Sequence, residues 1–309
     1  MSPLTRTLLT ASAPVVWGTT YWVTTQYLPP GHPLWAGLLR ALPAGLLLVA
    51  LSGHLPRGDW WWRVAVLGTL NIGAFFALLF AAAYRLPGGV AATLGAVSPL
   101  LVALLAHLLV GERLTVHRLT CGLVGVVGVG LMVLRASASL DAVGVAAGLA
   151  GAASMATGSV LTKRWGNPTT PLAFAGWQLT AGGLFLLPLA VAIEGTLPRL
   201  DAGAAAGYLW LALPGAALAY PLWFRGIGDL PVGAVAFLVL LSPAVAAVIG
   251  VGLAGEHLTG PQWTGFALAL GAVAAAQVPP RRWPRRHAPQ RTQHDTHLPS
   301  HAHPVPKEN

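Results

Sequence analysis

The sequence predicts an all-α integral membrane protein, with ten transmembrane helices arranged as two inverted five-helix repeats. Three observations support this fold class. The chain is 55% hydrophobic and only 9% charged, whereas soluble domains carry about 25% charged residues. It contains ten apolar stretches close to the ~20 residues that cross a bilayer. One long segment also occurs twice.

The repeated segment comprises residues 86–115 and residues 230–259, which align without a gap at an offset of 144 residues. The first copy reads LPGGVAATLGAVSPLLVALLAHLLVGERLT and the second LPVGAVAFLVLLSPAVAAVIGVGLAGEHLT. Both copies share a Leu-Pro start, a Ser-Pro pair inside the apolar run, and a Gly-Glu pair near the end. A doubled membrane-helix pattern is typical of transporters built from two homologous halves.

The apolar stretches are predicted as ten spans, at roughly residues 9–28, 33–51, 63–84, 89–110, 117–134, 142–162, 170–192, 205–224, 231–253 and 261–278. The loops between them are short, so successive helices should alternate in direction. The first stretch is interpreted as a span and not as a cleaved signal peptide. It is too long for a signal-peptide core, contains Trp17, Tyr21 and Trp22, and precedes nine further spans.

Lys and Arg in the loops indicate the orientation of these spans. With a cytoplasmic N-terminus, fourteen of them fall on the cytoplasmic side and three in external loops, namely Arg85, Arg135 and Arg199. Both termini are therefore predicted to be cytoplasmic. Because each half has five spans, the second must enter the membrane from the opposite side. The net charge of +9 reflects this bias and a basic tail, so no nucleic-acid partner is expected.

The predicted organisation is a first repeat at 9–134, a second at 142–278, and a tail at 279–309. The tail is rich in basic residues, His and Pro, so we expect it to be disordered; its basic part can lie on anionic lipid. The single Cys121 argues against a disulfide framework within the chain and a cysteine-rich metal site.

Two prolines are predicted near the middle of the bilayer, Pro99 and Pro243, at equivalent positions of the two copies. Each removes a backbone donor and clashes with the carbonyl four residues earlier. Freed carbonyls at membrane depth require protein or a water-filled cavity around them. The prolines are interpreted either as flexible bends beside a central cavity or as structural kinks that improve packing.

Arg40 is the one charged side chain predicted well inside a span. An intramembrane cation costs ~3 kcal/mol on insertion scales, so its default interpretation is functional, here as an anchor for a substrate carboxylate or phosphate. The alternative is structural. Arg40 lies about two turns of helix from the predicted external end, where its side chain can reach the interface or bond to helix carbonyls.

Further polar and aromatic residues in the spans are predicted to bind substrate. Amide side chains offer both donors and acceptors, and aromatic rings can form cavity walls. The alternative for each residue is an interhelical hydrogen bond or anchoring at the interface. With Arg40, the predicted substrate-binding set is completed by Trp17, Asn71, Thr93, Trp177, Gln178 and Tyr220.

Glu112 and Glu256 each follow a Gly at the end of the duplicated span. Glu112 is predicted at the cytoplasmic face and Glu256 at the external face. A carboxylate there suits the positive N-terminus of the following helix and can pair with a nearby Arg; the alternative is a role in gating or proton coupling. We find no arrangement of catalytic residues, metal ligands or nucleotide-binding glycines, so no catalytic residue, metal or cofactor is predicted.

The chain resembles the EamA-type members of the drug/metabolite transporter superfamily over nearly all of residues 9–278. The resemblance rests on VVWGTTYW in the first span, LLRA in the second, AAAYRLPGGVAA before the fourth, SPLLVALLAHLLVGERLT across it, and the second copy of that segment. It implies ten helices, two EamA-type repeats and secondary transport of small metabolites. In two places the second repeat departs from the first, with Glu256-His257 for Glu112-Arg113 and Asp229 for Arg85.

The function expected is secondary transport of a small metabolite across the cell (plasma or inner) membrane by alternating access. The direction expected is efflux, and the cargo amino-acid-like or another polar or amphipathic compound. The partners expected are this small-molecule substrate and the lipid bilayer, with a homodimer left open. Two alternatives stay open: a membrane-embedded enzyme, and a scaffold or receptor that transports nothing.

Overall fold

The computed structural model describes residues 2–86, 94–133, 141–254 and 259–277, and every structural statement below concerns these residues. They form ten helical units, in the order α1 (Pro3–Trp17 and Thr20–Tyr27), α2 (Pro33–Ser52), α3 (Trp60–Arg85), α4 (Ser98–Val110), α5 (Val116–Val133), α6 (Ala142–Trp165), α7 (Pro171–Glu194), α8 (Ala202–Asp229), α9 (Val232–Leu238 and Leu241–Ala254) and α10 (Gly260–Gln277).

The helices confirm the predicted membrane fold class. In the described part of the chain, α2, α3, α6, α7, α8 and α9 are long and apolar enough to cross a membrane, and α4 and α5 are shorter apolar helices. Most predicted boundaries lie within a few residues of the observed ones. Helix α1 starts ahead of its predicted start at residue 9, because Ser2 caps the helix and Pro3 begins it. Residues 279–309, predicted to be disordered, lie outside the described residues.

The helix pairs repeat in the way expected of two related halves. Helix α2 packs along α7, and α5 along α10. The contact of α3 with α6 is matched by that of α8 with α1, and the contact of α4 with α6 by that of α9 with α1. Each pairing is therefore reproduced when every helix is exchanged for the one five places away. This is the packing symmetry of two five-helix repeats.

Small residues allow the central pair, α2 and α7, to approach closely. A Cβ added at Gly45 would lie 2.4 Å from the Thr180 backbone nitrogen, and one at Gly183 would lie 2.7 Å from the Leu42 Cβ. Since lipid tails are as apolar as the helices, tight backbone packing of this kind is a main source of helix association in membranes.

Contacts between connections define two ends of the bundle. At the Glu112 end, Lys163 donates to the Gly228 carbonyl and Trp177 to the His54 carbonyl. At the Asp141 end, Tyr84 donates to the Pro29 carbonyl, and Arg85 pairs with Asp141. Also at the Asp141 end, the Glu194 carboxylate accepts from the Leu34 and Trp35 amides, which caps the start of α2. Successive helices thus run in alternating directions.

The α2–α7 contact generates a first prediction. Gly45→Ala places a methyl group against the α7 backbone, and overpacking of this kind costs ~1–3 kcal/mol. We expect a lower melting temperature for the purified protein in detergent. Gly271→Ala on α10 is the matched control, because a Cβ there would have no heavy atom within 4 Å. Equal melting temperatures for the two variants would show that the close contact is not needed.

Candidate functional site

A central cavity lies between α1, α2, α3, α4, α6 and α9. The space between its walls is about 830 Å³, which includes the open part at its mouth. Its lining comes mainly from the halves of these helices nearer the Asp141 end: Trp17, Thr20, Tyr21, Arg40, Phe75, Leu79, Ala82, Gly95, Ala96, Ser98, Gly148, Gly151, Ala152, Met155, Val239, Leu240, Ser242 and Pro243.

The duplicated segment contributes equivalent residues to this cavity. Gly95, Ala96 and Ser98 line it from the first copy, and Val239, Leu240 and Ser242 lie at the same positions of the second copy and also line it. The cavity is therefore centred where the two repeats face each other.

The helices are interrupted at these lining residues. The chain forms a turn at residues 96–97 and again at residues 239–240, and α4 then starts at Ser98 with Pro99 in its first turn. The sequence predicted bends at these positions, and the structure has a turn at each, with Val97 and Val239 still in the right-handed helical region of backbone conformation. Proline suits a first helical turn because its missing N–H has no partner there. Whether these breaks flex during function stays a prediction.

Arg40 lies at the wall of the cavity and is 2% exposed. Its Nη1 donates to the Thr20 hydroxyl at 3.3 Å and its Nη2 to the Gly215 carbonyl at 3.2 Å. Its Nε has no hydrogen-bond partner, and no carboxylate of the described residues forms an ion pair with it. The guanidinium is thus held by two neutral oxygens, which leaves its charge uncompensated within the described part of the chain.

Aromatic rings surround the Arg40 side chain. The guanidinium carbon lies 4.5 Å from the centre of the Phe76 ring, a cation–π contact. Trp17 donates to the same Gly215 carbonyl at 2.9 Å and packs against Tyr220 with ring centres 5.1 Å apart. Tyr220 lies behind Trp17 and is not part of the cavity lining. These rings fix the direction of the guanidinium.

Two π-helical segments begin 144 residues apart, Thr69–Gly73 in α3 and Leu213–Leu218 in α8. Asn71 and Gly215 therefore occupy equivalent positions of the two repeats. A π-helical turn alters the regular hydrogen-bond ladder and often marks a functional site. The sequence analysis missed both segments, because one extra residue in a helical turn leaves no hydrophobic pattern to detect.

The equivalent of the Arg40 cluster contains amides in place of a cation. Asn71 donates to Thr162 at 3.1 Å and to Gln178 at 2.8 Å. Asn71 and Gln178 are buried and lie outside the lining of the cavity, and the Gln178 side-chain nitrogen has no partner among the described residues. Arg40 and Gln178 lie on the equivalent helices α2 and α7, so the two repeats share one geometry with different chemistry.

The predicted substrate-binding residues are thus separated by the structure. Trp17 and Arg40 line the cavity, Tyr220 supports Trp17, and Asn71 pairs with Gln178 elsewhere. Trp177 donates to the His54 carbonyl at 2.7 Å, at the Glu112 end. Thr93 lies outside the described residues. The role of each in binding substrate stays a prediction. The structure adds Phe75, Leu79 and Met155 as apolar lining residues, which the sequence does not distinguish from ordinary apolar positions.

A smaller cavity, of about 240 Å³ together with the open space beside it, lies towards the Glu112 end. Ser98, Met155 and Val239 line both cavities and separate them. The remaining walls of the smaller cavity are formed by Val102, Ser159, Trp223, Ile227, Val232, Val235 and Ala236. The two cavities lie in succession along the bundle.

Glu112 makes contacts that differ from the expected ones. The sequence indicated that its carboxylate would lie at the start of the next helix, α5. In the structure it accepts from the Val232 amide at 2.9 Å and the Gly233 amide at 3.4 Å, at the start of α9. Its link to α5 is an ion pair with Arg118 at 2.8 Å. Glu256 lies outside the described residues.

Comparison with known proteins gives two matches to one family. The EamA-like transporter family matches residues 5–134 and again residues 142–276. Protein PecM of Dickeya dadantii is 44% identical over 267 residues, 86% of this chain and 90% of that protein. The uncharacterized inner membrane transporter YedA of Escherichia coli K12 is 30% identical over 273 residues, 85% of this chain and 86% of that protein.

A more distant relative and a solved structure extend these matches. The probable terminal-alkyne amino-acid exporter of Streptantibioticus cattleyicolor is 27% identical over 245 residues, 76% of this chain and 81% of that protein. A crystal structure aligns with a TM-score of 0.73 over 89% of this chain and 97% of the other, at 21% identity. At this identity the structural likeness concerns the fold alone.

The Asn71–Gln178 contact generates a second prediction. If the contact is structural, Asn71→Leu and Gln178→Leu should each lower the melting temperature in detergent. The double variant should lose less stability than the two single variants lose in total, with a coupling free energy of ~1 kcal/mol between the two residues. A double-mutant cycle of melting temperatures measures this coupling. Additive or absent effects on stability, together with loss of transport, would place both amides in the substrate-binding set.

Proposed function

We propose, from the premise that this chain belongs to the EamA-like transporter family, that it exports a small amphipathic metabolite with a carboxylate or similar anionic group. The family is one of transporters and not of enzymes. The proposal rests on one observation above all: a buried arginine at the wall of the central cavity is held only by neutral oxygens.

Arg40 provides the polar end of the proposed binding site. A buried cation without a counter-charge is costly. A substrate carboxylate placed beside Arg40 would supply that counter-charge and could accept from the unpartnered Nε. Planar carboxylates match the guanidinium with two parallel hydrogen bonds, which adds specificity to the electrostatic attraction. Phe76 and Thr20 support the guanidinium in a fixed direction, so little reorganisation is needed on binding.

The rest of the cavity favours a substrate whose remaining part is apolar. Phe75, Leu79, Met155 and Leu240 present hydrocarbon or aromatic surface, and each buried CH₂ of a ligand gains ~0.8 kcal/mol. A cation at one wall and apolar surface around it favour amino acids with apolar side chains, or compounds of similar shape. One relative is named an amino-acid exporter, and this name supports both the cargo class and the direction.

Transport is proposed to occur by alternating access between the two repeats. The large cavity extends towards the Asp141 end, and the smaller one lies beyond it towards the Glu112 end. Equivalent residues of α4 and α9 meet at the cavity, so exchange of conformation between the repeats would move the opening from one end to the other.

The membrane and orientation follow from the charge bias. We infer that the protein lies in the inner (plasma) membrane with both termini in the cytoplasm, which places the Glu112 end inside and the Asp141 end outside. The name of the YedA relative supports the choice of membrane.

Substitution of Arg40 tests the binding proposal. Purified protein in liposomes is assayed by counterflow with labelled apolar amino acids and with their amine analogues, which lack the carboxylate. Arg40→Gln should lower uptake of the carboxylates tenfold or more, which corresponds to ~1.4 kcal/mol, and leave the protein monodisperse. The control is Arg63→Gln, since Arg63 is a second partly buried arginine stacked on tryptophans but at the Glu112 end. Unchanged uptake by a folded Arg40→Gln variant would make Arg40 a structural residue.

Cysteine labelling tests the orientation. Two single-cysteine variants on a Cys121→Ser background carry the thiol at exposed positions of opposite ends, Thr196→Cys at the Asp141 end and Asn167→Cys at the Glu112 end. A membrane-impermeant maleimide added to intact cells should label Thr196→Cys only. The reverse pattern would show that the proposed orientation is inverted.

A further inference from the structure

The smaller cavity ends at a short piece of backbone, the α8–α9 connection, defined here as residues 228–233. Val232 from this connection and Ile227 just before it form part of the cavity wall, together with Trp223. Val232 therefore places the connection in the wall of the smaller cavity, on the side of the Glu112 end.

Two charged side chains from different helices hold the connection in place. The Glu112 carboxylate, which follows α4, accepts from the Val232 and Gly233 amides. The Lys163 ammonium, in the last turn of α6, donates to the Gly228 carbonyl at 2.8 Å and the Leu230 carbonyl at 2.9 Å. An anion thus meets the amides that begin α9, and a cation meets the carbonyls at the end of α8, which is the favourable arrangement at both helix ends.

The geometry of this contact is specific. The Glu112 and Arg118 side chains are only 17% and 19% exposed, and Arg118 fixes the carboxylate through a 2.8 Å ion pair. A Cβ added at Gly233 would lie 2.8 Å from Arg118 Nη1 and 3.2 Å from Glu112 Oε2. The connection is therefore seated directly on the charged pair, with no room for a side chain between them.

The contacts made by Glu112 and Lys163 depend on the closed position of the connection. If the connection moves away, all four backbone hydrogen bonds are lost together. The Glu112 carboxylate and the Lys163 ammonium then interact with other side chains or with water. Hydrogen bonds that involve a charged group are stronger than those between neutral groups. A contact made in one state and absent in the other biases the equilibrium towards the first state.

We propose that Glu112 and Lys163 form a latch that keeps the Glu112 end of the pathway closed, and that the transport cycle opens this end by releasing the α8–α9 connection. This inference rests on the proposed function, because it assigns the latch to one step of that transport cycle. Lys163 is then a gating residue. Glu112 is one as well, through its hydrogen bonds to the start of α9 and not through its ion pair with α5.

Cysteine reactivity measures the latch without a substrate. On a Cys121→Ser background, Ser159→Cys places a thiol in the wall of the smaller cavity, and Ala152→Cys places one in the wall of the large cavity. Both positions are about 5% exposed or less. Rates of modification by a small maleimide are measured on the purified full-length protein in detergent, so that the orientation in a membrane does not matter.

Release of the latch should change the two rates in opposite directions. Glu112→Gln and Lys163→Met are each expected to raise the rate at Ser159→Cys about tenfold and to lower the rate at Ala152→Cys. Asp59→Asn and Arg164→Met are the charge-matched controls, since both residues are exposed at the same end of the bundle. Neither control should change either rate.

Three results would overturn the latch. These are unchanged rates in both folded latch variants, a rise at both reporter positions, which indicates general loosening, or an equal rise in the controls. If Glu112→Gln does not fold, Lys163→Met alone decides, because it removes the contacts at the other side of the connection. The Arg40 counterflow assay is independent of these rates, so failure of the latch and failure of the proposed function are distinguishable.

Discussion

Backbone hydrogen bonding inside the bilayer is the constraint on which the rest of this structure depends. A carbonyl or amide that faces lipid without a partner costs several kcal/mol, so irregular backbone is tolerated only where protein or a cavity satisfies it. The interruptions of α4 and α9 lie at the central cavity. The π-helical segment of α8 presents its Gly215 carbonyl to Trp17 and Arg40. The irregular turns and the polar side chains therefore occur together.

The same constraint explains why two repeats with one geometry can carry different chemistry. At Gly215 the π-helical carbonyl faces a long cation from α2, whereas at the equivalent Asn71 a side-chain amide faces Gln178 from α7. Both clusters leave one buried nitrogen without a partner among the described residues, namely Arg40 Nε and Gln178 Nε2. The two repeats therefore share one backbone arrangement. The side chains at the equivalent positions differ, so one repeat places a charged group at the cavity wall and the other forms a neutral contact.

These differences also show what the sequence can predict. Ten apolar stretches, an aligned duplication and a single intramembrane arginine were visible, because length, repetition and charge need no knowledge of tertiary contacts. The partner of each polar group was not visible. Asn71 was predicted to bind substrate, with an interhelical hydrogen bond as the alternative, and it pairs with Gln178 and Thr162. Glu112 was expected at the start of α5, where it pairs with Arg118, and it also accepts from an amide of α9. A polar residue in a span must find a partner, but the sequence does not say which helix supplies it.

Among the described residues, the charged contacts beside the two cavities differ in their exposure to solvent. At the Asp141 end, the ion pair between Arg85 and Asp141 spans 3.3 Å with side chains 49% and 39% exposed, and exposed pairs contribute little. The Asp141 carboxylate caps α6 by accepting from the Gly144 amide. This hydrogen bond, together with the nearby Arg85, lowers the pKa of Asp141. At the Glu112 end, the charges are less exposed and bind backbone groups of the connection directly. The less exposed ion pair lies beside the smaller cavity. The more exposed pair lies at the end towards which the large cavity extends, where the Glu194 carboxylate also binds backbone amides, those of Leu34 and Trp35. In a chain with only 9% charged residues, the proposed latch depends on the few partly buried charges beside the smaller cavity.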